Sequence, residues 1–139
     1  MDELGPEIAY PTLEQIVEIN RRMIETSGGS FTPPDNLRNR DSLEYVLIAI
    51  RFPVFDHDLF ATIKHKAAAL SYEIIKSHVF FDGNKRTASH VSFMFLRSNN
   101  VPIFLDKSIE VIAIEVASGS ADRNDFLSWL HEHQAIHLK

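Results

Sequence analysis

His78-Val79-Phe80-Phe81-Asp82-Gly83-Asn84-Lys85-Arg86-Thr87 brings an imidazole, a carboxylate, a turn and two cations together in one short stretch. Asp82, Gly83 and Asn84 interrupt an apolar run, and Lys85-Arg86-Thr87 open a new helical pattern. A helix start leaves backbone N–H donors without intrahelical partners, and those donors bind anions. The stretch therefore reads as a loop between two helices, built to handle a phosphate.

Working outward, Leu59, Ile63, Ala67, Leu70 and Ile74 mark one face of a helix that ends near Ser77 and delivers the loop. Beyond it, Ala88, Val91, Ser92, Phe95 and Leu96 define another face. Phe93 and Met94 make that segment apolar nearly all round, as expected of a buried central helix closed by Asn99-Asn100. Near the start of the chain, Thr12 and Gln15 form a capping-box pattern. Leu13, Ile16, Val17, Met23 and Ile24 then recur at helical spacing until Gly28-Gly29. Pro33-Pro34 and polar neighbours place a loop over 30–40, before a helix beginning near Asp41 or Ser42 and lined by Leu43, Val46, Leu47 and Ile50. The 52–58 stretch breaks the pattern. Val101 to Leu105 is β-prone, but Pro102 and its isolation favour an extended connector over a sheet strand. Asp106 or Ser108 is the candidate cap of a helix carrying Ile109, Ile112, Ala113 and Val116. Asp122 or Asn124 is the candidate cap of a last one carrying Phe126, Leu127 and Leu130. The expected fold is all-α: a compact bundle, one domain over 1–139, with the motif loop between two core helices.

With 139 residues, 45% of them apolar, the chain can build a core without staples. It contains no cysteine, which excludes disulfides, thiolate nucleophiles and Cys-ligated zinc. Met1 to Pro6 shows no basic-then-apolar signal pattern, and the apolar run at Val91 to Leu96 soon meets Arg97. A cytoplasmic protein without a membrane partner is the expectation. A net charge of −5 argues against a surface that binds nucleic acid as a whole, yet it permits a local basic pocket.

Transfer of part of ATP to a hydroxyl needs a base, a divalent cation spanning phosphates, and donors that hold the remaining oxygens. His78 is the candidate base, because imidazole titrates near working pH. Asp82 is the candidate Mg²⁺ ligand, since that ion takes hard oxygens and needs only one or two protein carboxylates beside phosphates and water. Gly83 and Asn84 shape the anion cradle: glycine accepts positive φ and close approach, and the Asn amide can donate. Arg86 can engage a phosphate bidentately, and Lys85 acts as a point charge. Phe80 is expected to point inward and anchor the loop, and Thr87 to serve the phosphate or the helix start.

Taken singly, each of these residues has a plainer reading. A lone histidine is more often structural, and a D-G-N turn followed by two cations also occurs in ordinary helix connections. The ordered cluster favours function. His131, Glu132, His133 and His137 form no HExxH pattern and read as a solvated helix end. His57 and His65 read as surface groups, and His90, one turn into the motif helix, stays outside the site.

The stretch resembles the signature of the Fic/Doc family, written HPFxxGNGR in the Fic branch and close to HxFxxANKR in the Doc, or death-on-curing, branch. His78, Phe80, Asp82, Asn84, Lys85, Arg86 and Thr87 match the Doc form. Val79 replaces the Fic proline, and Gly83 stands where Doc commonly has alanine. The resemblance implies that His78 is base or proton acceptor, that Asp82 holds magnesium, and that Asn84, Lys85 and Arg86 bind phosphates, with ATP and Mg²⁺ as cofactors. It further implies a toxin that transfers the γ-phosphate of ATP to a protein hydroxyl, a threonine of elongation factor Tu being the first substrate to try. AMP transfer to Ser, Thr or Tyr is the alternative, and a catalytically silent binding module is a second. The implied partners are a protein substrate and a separate antitoxin. Ser128 and Glu132 have the spacing of the family's inhibitory (S/T)xxxE(G/N) helix, but His133 breaks it, so no internal inhibitor is expected. Phe52 to Asp58 is the candidate for the flap that aligns a target segment.

Overall fold

The computed structural model describes residues 7–52, 60 and 62–135. Six helices follow in order: α1 (Leu13–Ser27), α2 (Arg40–Ala49), α3 (Ile63–Lys76), α4 (Asn84–Ser98), α5 (Ser108–Ser118) and α6 (Arg123–Glu132). Among the described residues there is no sheet, and β pairing is confined to two isolated bridges, Leu37 with Phe80 and Ile103 with Gln134. The fold is all-α, as the periodicity implies.

Helix starts follow local chemistry. The Thr12–Gln15 capping box forms as read, Thr12 Oγ1 accepting from Gln15 N at 3.1 Å and Gln15 Oε1 from Thr12 N at 2.9 Å. The second helix begins slightly earlier than Asp41, because Asn39 supplies the cap by accepting from Ser42 N. Thr62 caps α3, and Asp122 caps α6 in a reciprocal box with Asp125. For α5, Lys107 takes the cap position with no side-chain bond of its own, while Asp106 behind it accepts from Ser108 N at 2.8 Å. Leu59 and the stretch 53–58 of the candidate flap lie outside the described residues.

The centre of the bundle is α3 rather than α4. Ala67, Ala68, Ala69, Leu70, Ser71, Ile74 and Ile75 are all buried, and α3 packs on α2, α4, α5 and α6. Three consecutive alanines let neighbouring backbones approach from several sides. The nearly all-round apolar face expected of α4 is only half used: Val91, Phe95 and Leu96 are buried, whereas Met94 is exposed and Phe93 half-buried. Met94 lines the groove between α1 and α4, and Phe93 packs against the edge of the core.

The connector 101–105 is extended and stitched to the end of α6, Phe104 N donating to His133 O at 2.8 Å and Ala135 N to Pro102 O at 2.9 Å. His133 does not belong to a solvated helix end. Its ring stacks on Trp129 at 3.8 Å between centroids and 11° between planes, and its Nε2 lies 3.1 Å from Asp106 Oδ2. His131 sits beside Lys64, and burial first, then the Lys64 and His65 charges, push it below the usual imidazole range. No group of three or more His, Asp or Glu placed to hold a metal ion occurs among the described residues.

Asp106 is held below the ordinary value of 3.8, first by the hydrogen bond from the Ser108 hydroxyl, then by the Ser108 N–H, and lastly by His133. A carboxyl with a depressed native pKa contributes stability that is present above the unfolded-state value and is lost as pH falls through the native one. Wild-type thermal midpoints should therefore drop more steeply below pH 3.8 than those of Asp106→Asn. Parallel curves would show that the Asp106–Ser108 turn contributes nothing.

Candidate functional site

The α3–α4 loop begins with a helix C-terminus of the Schellman type. His78 N donates to Ile75 O and Val79 N to Ile74 O, each at 3.2 Å, with His78 at φ 49° in the left-handed region. That place in the motif usually holds glycine, so the chain carries a histidine where backbone sterics disfavour it. The imidazole is exposed and hydrogen-bonded to no other described residue. Val79 then turns inward, fully buried, and its carbonyl accepts from Arg38 N at 2.8 Å and Asn39 N at 3.0 Å.

Phe80 is 1% exposed and anchors the loop in the core, as its place in the motif suggests. Asn84, read from the sequence as a phosphate donor, has both amide atoms engaged with Phe80. Its Oδ1 accepts from Phe80 N and its Nδ2 donates to Phe80 O, each at 2.8 Å. In this conformation the side chain closes the loop, with one amide N–H spent on Phe80 O, and its second amide N–H and its backbone N–H, in the first turn of α4, can still donate to an anion.

Asp82 is half-buried. Its Oδ1 accepts from Gly83 N at 2.8 Å and its Oδ2 from Ser30 N at 2.9 Å. Each oxygen takes one N–H, which leaves lone pairs for a cation. Gly83 follows at φ 83°, and a Cβ there would meet Asn20 Nδ2 at 3.0 Å and Ile24 Cγ1 at 3.3 Å. Both the left-handed backbone and the close packing require glycine. Gly83 is also the cap position of α4, which has no side-chain cap, so its first-turn N–H groups are not taken up by a side chain of the protein.

Lys85 is exposed, its ammonium hydrogen-bonded to no described residue. Arg86, also exposed, reaches the end of α1 and donates from Nη2 to Gly28 O at 2.7 Å and from Nη1 to Ser27 O at 3.4 Å. Thr87 is fully buried with its Oγ1 accepting from Asn20, so it serves the helix start and not the solvent face. A groove of about 350 Å³ runs beside these residues, with Lys85, Arg86, Ser89 and His90 of α4 on one wall and Ile109 and Ala113 of α5 on the other. A mostly apolar groove with a few convergent polar groups is the usual form of a nucleotide-sized site. A larger groove of about 420 Å³ between α1 and α4 shares His90 but none of the motif's charged residues.

The sequence reading missed the α1–α2 connection. Gly28 O meets Arg86, Ser30 N meets Asp82, Asn36 O accepts from Phe81 N at 3.0 Å, and Leu37 pairs with Phe80. Residues 28–39 thus run along the motif loop. Gly29 lies so close that a Cβ would come within 2.7 Å of Asp82 Oδ2. The available signal was Asn20, a polar residue one turn from both Ile16 and Ile24 on the apolar stripe of α1.

Two comparisons bear on this geometry. The sequence model of the Fic/DOC family matches residues 10–96, the span from just before α1 to near the end of α4. Toxin Doc of Mycolicibacterium smegmatis is 29% identical over 108 residues, which cover 75% of this chain and 83% of that protein.

Proposed function

Because the chain belongs to the Fic/DOC family, we propose that it is a Doc-like toxin, folded as one domain, that transfers the γ-phosphate of Mg-ATP to a hydroxyl of a protein and is restrained by a separate antitoxin. The observation that carries this reading is the composition of the α3–α4 loop: an exposed imidazole at His78, a carboxylate with spare lone pairs at Asp82, and an uncapped helix start flanked by Lys85 and Arg86.

In this reading His78 accepts the proton of the attacking hydroxyl, a role left open by an exposed ring that no other described residue hydrogen-bonds. The first-turn N–H groups of α4 and the Lys85 ammonium hold phosphate oxygens. Arg86 has five N–H donors, and the carbonyls of Ser27 and Gly28 take two of them. The remainder can engage a phosphate while the α1 end keeps the guanidinium oriented. Asp82 fits a magnesium ion that arrives with the nucleotide: a single hard-oxygen ligand, with no accompanying cage among the described residues, suits Mg²⁺ completed by phosphates and water. Bound magnesium would supply neutralisation of phosphate charge.

The alternative by the same residues is AMP transfer. Glycine at 83 does not weigh toward it, since the left-handed φ and the Asn20 contact account for that residue without reference to nucleotide orientation. Lys85 weighs toward γ-phosphate transfer, because its side chain stands where the Fic signature has a second glycine. Among the described residues, no helix is long and apolar enough to cross a membrane.

The test is intact-mass spectrometry of elongation factor Tu and of a cell lysate after incubation with the protein, Mg²⁺ and ATP. A gain of one phosphate supports the proposal, and a gain of one AMP supports the alternative. No gain on any protein would favour a silent binding module that keeps the groove for docking alone.

A further inference from the structure

Behind the motif turn lie three fully buried polar side chains, Asn20, Asn36 and Thr87. Asn20 Nδ2 donates to Asp82 O at 2.9 Å and to Thr87 Oγ1 at 3.0 Å, and Asn20 Oδ1 accepts from Asn36 Nδ2 at 2.9 Å. Asn36 Nδ2 also lies 3.2 Å from Asp82 O, and Asn36 Oδ1 accepts from Thr32 N at 2.9 Å. Two amides from different elements therefore converge on one backbone carbonyl.

That carbonyl shares a planar trans peptide unit with the N–H of Gly83, so the two point in opposite directions. Pinning Asp82 O inward aims Gly83 N–H outward, where it donates to Asp82 Oδ1 at 2.8 Å. Gly83, lacking a Cβ, offers little resistance of its own to a flip of this peptide. We infer that Asn20, seconded by Asn36, is a positioning residue for the Asp82 carboxylate, acting through the Asp82–Gly83 peptide plane to present it to the metal that accompanies the nucleotide. The inference rests on the reading of Asp82 as magnesium ligand. Outer-shell partners of this kind are typically worth about 10- to 100-fold in metal affinity.

Asn20→Asp tests the contact. The new carboxylate still accepts from Asn36 Nδ2, and the Thr87 hydroxyl can reverse and donate to it. The donor to Asp82 O is lost, replaced by an oxygen facing an oxygen, and the negative charge that the change adds favours a nearby cation, so weaker Mn²⁺ binding does not come from that charge. Mn²⁺ titrations in the presence of ATP, followed by calorimetry on the full chain, should show the ion binding about 10- to 100-fold more weakly to Asn20→Asp than to wild type. ATP binding in EDTA should be unchanged, and transfer should recover as Mg²⁺ is raised. A merely structural defect would lower the folded fraction and would not be rescued by metal. Circular dichroism and melting check the fold. If Asn20→Asp does not fold, Asn36→Gly replaces it, since the φ of 61° at Asn36 suits glycine and the change removes the second donor to Asp82 O. A folded variant that binds Mn²⁺ with ATP as wild type does, beside an Asp82→Asn control that has lost the ion, overturns the inference. If Asp82→Asn itself binds as wild type, the assignment of Asp82 is what fails, and the positioning role goes with it.

Discussion

His78→Ala lowers transfer to the protein substrate by about 10²- to 10⁴-fold, the usual worth of a positioned base, and leaves the protein folded. Both halves of this expectation come from the same geometry. The imidazole is exposed and makes no hydrogen bond to another described residue, so its removal takes nothing from the core. Its backbone, at φ 49°, sits where a side chain costs about 1–2 kcal/mol relative to glycine. His78→Gly should therefore be as inactive as His78→Ala but about 1 kcal/mol more stable than it, read as a higher urea midpoint. A histidine kept where glycine would be more stable is the pattern of a residue retained for chemistry. Wild-type rates in either variant would remove His78 from the reaction.

Phe80→Ala should act in the opposite sense, destabilising by about 3–5 kcal/mol. The ring is 1% exposed within the main core cluster, and truncation leaves a cavity under the loop. The Asn84 amide brackets the backbone at the same residue, so the loop cannot easily sink to fill the space. Against a total stability of about 5–15 kcal/mol for a typical domain, this is enough to lower the urea midpoint sharply. Phe80→Leu, closer in volume, should cost less and keep activity in the folded fraction. An unchanged midpoint in Phe80→Ala would mean that the ring does not anchor the loop.

Helix positions and the motif loop were legible because both are local. Capping residues, the 3.6-residue period and the turn chemistry of Asp82-Gly83-Asn84 act within a few neighbours, and each left its mark in order along the chain. What could not be read was long-range. Between the two roles open to Thr87, phosphate or helix start, only the arrival of Asn20 from α1 decides, and the Asn84 amide is seen to bracket Phe80 only once the loop has closed. Met94 looks like core until the small residues of α3 draw the packing centre toward themselves. Asn20 was the one long-range feature with a local trace, a polar residue in an apolar stripe, and a buried amide is kept in such a place only with partners.

The run of residues 28–39 along the motif loop also has a consequence for when the site comes into being. Its hydrogen bonds join positions such as Asn36 with Asp82, Ser30 with Asp82 and Gly28 with Arg86, with sequence separations of 46, 52 and 58. Contacts of that span close large loops and form late in folding relative to the helices they join. A chain still leaving the ribosome with α1 and α2 formed has no carboxylate, no cradle and no base in place. The same bonds tie opening of the loop to release of the 28–39 run, so amide exchange at Phe81, whose N–H is held by Asn36 O, should be slow. Competence would then arrive in one step with the finished fold, sparing the cell that makes the protein a half-formed but active intermediate.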